Sequence, residues 1–297
     1  MFKKIEQAAR GIRTRVLQHT LKHNGGYMGQ ACSSAETLAT LYLGIMNLPE
    51  VEKALMPAPF PGVPSAHNAN YFTGAIFNGG HRENFDRFYL SPAQYALVLY
   101  AALIEAKRMD EKGLDAFNVD GSSVEMIGAE HSPGMEVTTG SLGQGLSQAV
   151  GTALARKRKN DLGINYIFMS DGEFQIGMTW EAFQTMAHYK IDNIKIYVDV
   201  NGHQCDGTTD EVMNLIDIQK KAEAFGAHVV NIDGHNINAL LETKKINHEG
   251  KPLLVLCNTS PFRGLPEFEK NRPKFHYLRF KDSTEKAVYE EALKRLA

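Results

Sequence analysis

The sequence predicts a doubly wound α/β fold: a mostly parallel sheet flanked by helices, carried as one domain over residues 1–297. Three observations lead there. Residues 164–169 (INYIFM) and 194–200 (IKIYVDV) are short apolar runs rich in β-branched and aromatic side chains and bounded by turn signals, the appearance of buried strands. Between them, residues 177–190 place Trp180, Phe183, Met186 and Ala187 on one helical face, and strand, helix, strand in this order builds parallel sheet. The alternation then continues, with a helix predicted over 216–225, a strand over 229–232, a helix over 237–246 and a buried strand over 253–257 (LLVLC).

The remaining elements follow in chain order. Residues 3–22 form an amphipathic helix with Ile5, Ala9, Ile12, Val16 and Leu17 along one stripe, ending at His23-Asn24-Gly25-Gly26. Ser33 and Glu36 have the spacing of a capping box, which predicts that a helix opens there and runs through Leu38, Leu41, Tyr42 and Ile45. Residues 47–85 are rich in Pro, Gly and Asn and show no steady period; a segment of this length reads as a lid, an interface or an insertion, with His67 and His81 as surface histidines. Ser91 is expected to cap the helix through Tyr100 and Ile104, with Pro92 at its first position and Gln94 completing the box. The glycines of residues 130–145 (EHSPGMEVTTGSLGQG) are too frequent for a helix interior, yet a helix follows. This lets the backbone approach a ligand closely and aims free N–H groups at it. The order G-x-x-G-x-G without a preceding strand is not a dinucleotide fingerprint, and no Lys-Ser or Lys-Thr makes it a Walker loop. Asn236 is placed to cap a helix, His235 reads as structural, and residues 283–297 form a charged surface helix.

Composition narrows the functional classes. A hydrophobic content of 43% provides for a real core, and a net charge of −2 gives no electrostatic case for a nucleic-acid or membrane partner. Cys32, Cys205 and Cys257 are far apart and lack metal-ligand spacing, so they read as reduced thiols of a cytoplasmic protein. Neither a signal-peptide core nor an apolar run long enough to cross a bilayer is present.

The chemistry concentrates in residues 170–207. Asp171 and Asn201 fall at the carboxyl ends of the two central predicted strands, where ligands bind in parallel sheets. A carboxylate, an amide oxygen and a nearby main-chain carbonyl form an incomplete hard-oxygen shell that Mg²⁺ accepts when phosphate and water fill the other positions. A magnesium diphosphate is the natural guest. The Asp-Gly dipeptide alone is also an ordinary turn.

As a whole, this stretch resembles the thiamine-diphosphate motif of the transketolase family: Asp171-Gly172-Glu173, the helix around Trp180-Glu181-Ala182, then Asn201-Gly202-His203 before Asp206-Gly207, with Ser170 where the family has its first glycine. The resemblance implies that Asp171, Asn201 and the main-chain carbonyl of His203 hold magnesium. It also implies that Gly140, Ser141, Leu142, Gly172 and Glu173 meet the cofactor, thiamine diphosphate. Residues 25–36 (GGYMGQACSSAE) resemble the family's glycine turn with Tyr27, a catalytic candidate by position, in place of a histidine that touches substrate or cofactor, and residues 86–91 (DRFYLS) resemble a segment that leads to a phosphate-facing histidine, here Gln94 as a cofactor-binding candidate. Phe275-His276 is similar to the family's Trp-His pair, whose histidine contacts the cofactor diphosphate and the reacting sugar, which makes His276 the candidate proton donor. Ile176 stands where the family commonly has a glutamate that couples paired sites.

The family places its cofactor between two domains, and the second supplies a glutamate to the aminopyrimidine ring. The stretch after Cys257 is too short for such a domain. The resemblance therefore implies the amino-terminal subunit of a split transketolase. It would be active in a heterotetramer with a separate pyrimidine-domain subunit, passing a two-carbon ketol unit from a ketose to an aldehyde. With Tyr27 and Gln94 replacing histidines, the expected substrate is less phosphorylated or of a quite different kind. Two other readings remain open: a subunit of another thiamine-dependent enzyme acting on 2-oxo acids, and a catalytically silent cofactor-binding subunit.

Overall fold

The computed structural model describes residues 1–272 and 274–296. Helix α1 (Phe2–His23) buries the predicted stripe, including Ile5, Ala9, Ile12, Val16 and Leu17, and ends on Asn24 in the left-handed conformation, with φ 53°. Helix α2 (Met28–Thr40) passes into a π-helical turn, Leu41–Ile45. It starts upstream of the expected capping box, because Gly26 is held by a two-way backbone pairing with Leu278 and Met28 follows directly. Ser33 and Glu36 are therefore interior helix residues, both buried. Their polar groups serve other elements: Ser33 Oγ donates to Asp199, and Glu36 accepts from Arg13 and His235.

Among the described residues, 47–85 contain no strand and one short 3-10 turn, Gly74–Asn78. Backbone hydrogen bonds lay this segment against residues 108–130: Leu55 N donates to Arg108 O (3.0 Å), Phe60 N to Gly121 O (2.9 Å) and Gly74 N to Glu130 O (2.7 Å). The chain then enters strand β1 (Arg87–Leu90), an element that the sequence pattern marked only as a motif. Ser91 does not cap the next helix. A 3-10 turn, Ala93–Tyr95, intervenes before α3 (Ala96–Glu105), and the Ser91 hydroxyl donates to Glu173.

Helix α4 (Gln144–Arg158) leads to β2 (Asn165–Ser170), α5 (Gly177–His188) and β3 (Ile194–Val200). A two-residue hairpin follows, β4 (His203–Gln204) with β5 (Gly207–Thr208), then the short α6 (Thr209–Met213) and α7 (Ile218–Ala224). The helix predicted from 216 begins later, since Ile216 is left-handed (φ 60°) and Asp217 caps through Lys220 N at 2.9 Å. Strand β6 (His228–Asp233), α8 (Ile237–Glu242), β7 (Leu253–Asn258) and α9 (Ser283–Leu296) complete the chain. Asn236 caps α8 as predicted, accepting from Asn238 N and Ala239 N. α8 stops at Glu242, short of the expected 246, and gives way to a 3-10 turn. Pro273, just before the Phe275-His276 pair, and Ala297, at the expected end of the last helix, lie outside the described residues.

The five long strands are all parallel, in the order β1-β2-β3-β7-β6. Alternate side chains point to opposite faces. Phe88, Tyr166, Phe168, Tyr197, Val255 and Cys257 pack with α1, α2, α3 and α9. Tyr89, Ile167, Met169, Ile196, Val198 and Leu254 pack with α4, α5 and α7. Two cores on one sheet are what doubly wound means, and they hold the carboxyl ends of β2, β3 and β7 side by side.

Candidate cofactor and metal site

Those strand ends floor a cavity of about 250 Å³. Ser170 and Asp199 are register partners at the ends of β2 and β3, so the residues that follow, Asp171 and Asn201, come together above the sheet. Asp171 is 2% exposed; its Oδ1 accepts from Gly172 N at 2.8 Å and its Oδ2 from Gly202 N at 2.9 Å. The second bond ties the β4–β5 hairpin to β2. Burial first, and the charge of Asp199 second, push the Asp171 carboxyl up to about 7, against the pull of its backbone donors.

Asn201 is held at both ends of its amide. Oδ1 accepts from His203 N at 2.9 Å, while Nδ2 donates to Asp199 Oδ2 at 3.0 Å and to the Tyr95 hydroxyl at 3.3 Å. Asp199 is the hub beneath. It is 1% exposed and accepts from Ser33, Tyr95, Thr259 and Asn201. Four donors from separate parts of the chain satisfy a carboxylate whose burial alone raises its pKa.

Glu173 takes a comparable place under the glycine loop. Its Oε1 accepts from the Ser91 hydroxyl and from Gly143 N (3.0 Å), and its Oε2 from Ser170 N (3.0 Å). It is fully buried and does not line the cavity. The expectation that the loop aims its free N–H groups at a ligand therefore fails at Gly143, whose N–H faces inward to Glu173. Gly143 nevertheless needs its glycine, being left-handed (φ 81°) where it opens α4.

Of the predicted site residues, Gln94, Leu142, Asp171, Gly172, Asn201, His203 and His276 line the cavity. Gly140 and Ser141 lie outside its lining, Ser141 exposed. Tyr27 stands beside it, its ring edge-on to His276 at 5.4 Å between centroids. Burial lowers the His276 pKa, partly offset by Asp206. Sequence reasoning missed Gln30, Tyr95 and Asp199. A signal existed for the last: an aspartate inside the apolar run IKIYVDV must find partners once buried.

Two observations are compatible with a metal-bound diphosphate at these residues. Gln94 Oε1, His203 Nδ1 and Gln204 Nε2, all on lining residues, are buried without a hydrogen-bond partner among the described residues, so side chains around the cavity hold unspent polar capacity. A Cβ on Gly172 would meet nothing nearer than Gln204 Oε1 at 3.5 Å, so packing within the chain does not demand glycine there, whereas a ligand lying on that backbone would. The lining also holds two aspartates and neither lysine nor arginine, so on this wall an anionic group needs a cation beside it. No group of three or more His, Cys, Asp and Glu side chains that could hold a metal ion occurs among the described residues; the candidate oxygen set here would draw instead on an amide and a main-chain carbonyl.

Fold and site together define a parallel-sheet protein with a candidate diphosphate site at the carboxyl edge of its sheet. A family model described as "Transketolase, thiamine diphosphate binding domain" matches residues 78–282. A transketolase family protein of Sinorhizobium fredii is 37% identical over 279 residues, covering 93% of this chain and 90% of that protein. An apulose-4-phosphate transketolase subunit of Actinobacillus succinogenes is 30% identical over 281 residues, covering 93% and 91%. The chain therefore belongs to the transketolase family, as its amino-terminal, thiamine-diphosphate-binding part, and is a transketolase-like transferase. Among solved structures, transketolase from Leishmania mexicana shares the fold with a TM-score of 0.69 at 21% identity, covering 98% of this chain; the chain spans 45% of that protein's length. Among the described residues no helix is long and apolar enough to cross a membrane.

Proposed function

We propose that this chain is the diphosphate-binding subunit of a heteromeric, magnesium-dependent transketolase that moves a two-carbon ketol unit from a ketose to an aldehyde in carbohydrate metabolism, in the cytoplasm. The observation that carries the proposal is the meeting of Asp171 and Asn201 on adjacent strand ends beside the bare backbone of Gly172. Asp171, Asn201 Oδ1 and the His203 carbonyl would hold the magnesium; Gly172, Leu142 and Gln94 would face the diphosphate. Thiamine diphosphate supplies the carbon nucleophile that this type of chemistry requires and that no protein side chain offers. The chain's own residues do the rest: Asp199 and Tyr95 hold the Asn201 amide, the hairpin closes over Asp171, and His276 carries a proton at the substrate end.

Residues 1–297 act as one binding unit, and the glutamate that engages the pyrimidine ring comes from a partner subunit. The apulose-4-phosphate transketolase subunits of Actinobacillus succinogenes and Phocaeicola vulgatus are matched over 91% and 90% of their own length, which supports an assembly with a partner subunit; a heterotetramer is the expected form. The test is reconstitution. Mixed with a pyrimidine-domain subunit, magnesium and thiamine diphosphate, the chain should support ketol transfer from a ketose to an aldehyde. Turnover of 2-oxo acids and not of ketoses would overturn the proposal in favour of a decarboxylating enzyme.

A further inference from the structure

Gln30, 3% exposed, lies near the start of α2 and lines the cavity beside His276. One end of its amide lies 3.3 Å from Tyr27 O and 2.8 Å from His276 O; the other lies 3.0 Å from His276 Nδ1. Main-chain carbonyls only accept hydrogen bonds, so the NH₂ group faces Tyr27 and His276 and the amide oxygen faces the ring. That oxygen also only accepts, so Nδ1 must carry the hydrogen. A neutral imidazole with its hydrogen on Nδ1 has a bare lone pair on Nε2.

The surroundings leave this arrangement little freedom. A Cβ on Gly29 would sit 2.1 Å from Phe275 O, so α2 and the segment around 275 are in backbone contact. Gly26 and Leu278 exchange backbone hydrogen bonds of 3.1 and 2.9 Å just beyond. Ser34 Oγ donates to Gln30 O at 2.6 Å, and the Tyr27 ring stands edge-on to the imidazole.

We propose that Gln30 is a positioning residue that fixes His276 as the Nδ1–H tautomer, so that Nε2 accepts the proton of a hydroxyl on the ketose substrate. In that transfer the O–H bond breaks, its electron pair stays on oxygen, and a new N–H bond forms at Nε2. The Nδ1–H bond to Gln30 persists and carries part of the imidazolium charge. The part of the substrate that this ring meets is therefore an uncharged hydroxyl carbon, in keeping with a lining free of lysine and arginine. The substrate half of the inference rests on the proposed function; the tautomer does not.

The test is ring nitrogen NMR on the full chain labelled with ¹⁵N-histidine, which needs neither cofactor nor partner, followed by steady-state kinetics of the reconstituted enzyme. In the parent chain, the His276 Nδ1 shift should be that of a protonated nitrogen and the Nε2 shift that of a bare one. Gln30→Ala should average the two shifts and lower kcat at least about tenfold, because the ring loses its fixed tautomer, its orientation and the Nδ1–H bond that shares the imidazolium charge. Should that variant fail to fold, Gln30→Glu, whose second oxygen can face the Tyr27 and His276 carbonyls only as a protonated hydroxyl, keeps an acceptor opposite Nδ1 and should retain the Nδ1–H tautomer. A parent or Gln30→Glu chain with the hydrogen on Nε2, or a Gln30→Ala chain with unchanged ring shifts, would overturn the inference. Absence of ketol transfer in the parent complex would instead count against the proposed function, with the ring shifts still deciding the tautomer.

Discussion

Asn201 Nδ2 donates to Asp199 Oδ2 at 3.0 Å, and this bond decides which end of the Asn201 amide is free to meet a cation. Asp199→Asn preserves shape and an acceptor at the Oδ2 position, with the Thr259 hydroxyl turning to accept from the new NH₂. The substitution removes the buried charge. Groups that hold metal ligands in place are typically worth about 10–100-fold in metal affinity. Calorimetry with magnesium and thiamine diphosphate should show about a tenfold loss for Asp199→Asn, and Tyr95→Phe should show a smaller loss. Parent affinity in both variants would mean that the hub serves only folding.

Asp171 gives the free chain a pH dependence of definite sign. Its folded pKa, about 7, lies above the ordinary 3.8, so the folded state holds a proton that the unfolded state has released. The associated stability is complete below about 3.8 and is lost as pH rises through about 7. A bound divalent cation reverses this by favouring the carboxylate. The rise in melting temperature on adding magnesium and thiamine diphosphate should therefore be larger at pH 8 than at pH 6. Equal shifts at the two pH values would count against Asp171 as a ligand.

The glycines separate into those the fold needs and those the ligand needs. Gly172→Ala should leave the stability of the free chain within about 0.5 kcal/mol, since its nearest neighbour is at 3.5 Å, while weakening cofactor binding at least about tenfold. Gly145→Ala should do the reverse and destabilise the chain by about 1–3 kcal/mol, because its Cβ would meet Ser91 Cα at 2.8 Å. Urea melts and cofactor titrations of both variants check the contrast.

Glu36 is the central charge of a buried cluster. Burial alone would raise its pKa, but the hydrogen bond from His235, together with the charge and hydrogen bond of Arg13, holds it down to about 2. With the folded pKa depressed, the stabilisation is present above about 4.5 and is lost as pH falls towards 2. Glu36→Gln should cost about 3–5 kcal/mol at neutral pH by leaving Arg13 without its counter-charge. Because His235 Nε2 accepts from Ser260 N at 2.8 Å, the variant should also loosen the loop that carries Pro261 into the cavity. Urea melts at pH 7 and pH 3 measure both effects, and the difference between parent and variant should shrink at the lower pH.

The parts of the fold that were legible in the sequence are those made by local pattern. β2, α5 and β3 lie where apolar period and turn signals put them, and Asn236 caps α8. Misreadings arose where polar residues serve distant partners. Ser33 and Glu36 have capping-box spacing, but one reaches Asp199 across 166 residues and the other bonds Arg13 and His235. Ser91 likewise looked like a cap and is a brace for Glu173. Local spacing carries no trace of such contacts. For the same reason the strand-end pair Asp171 and Asn201 could be read from one stretch, while Gln30 and the partners of Asp199, which come from elements far apart in the chain, emerged only in three dimensions.

The central claim is that two neighbouring strand ends bind a divalent cation that in turn holds a diphosphate. Its most direct test is calorimetric titration of thiamine diphosphate into the chain at pH 8, with and without magnesium, for the parent and for Asp171→Ala. The account expects saturable binding by the parent that requires magnesium, and a loss of at least about tenfold in affinity for the variant. Binding that is indifferent to magnesium, or equally tight without the Asp171 carboxylate, would contradict it.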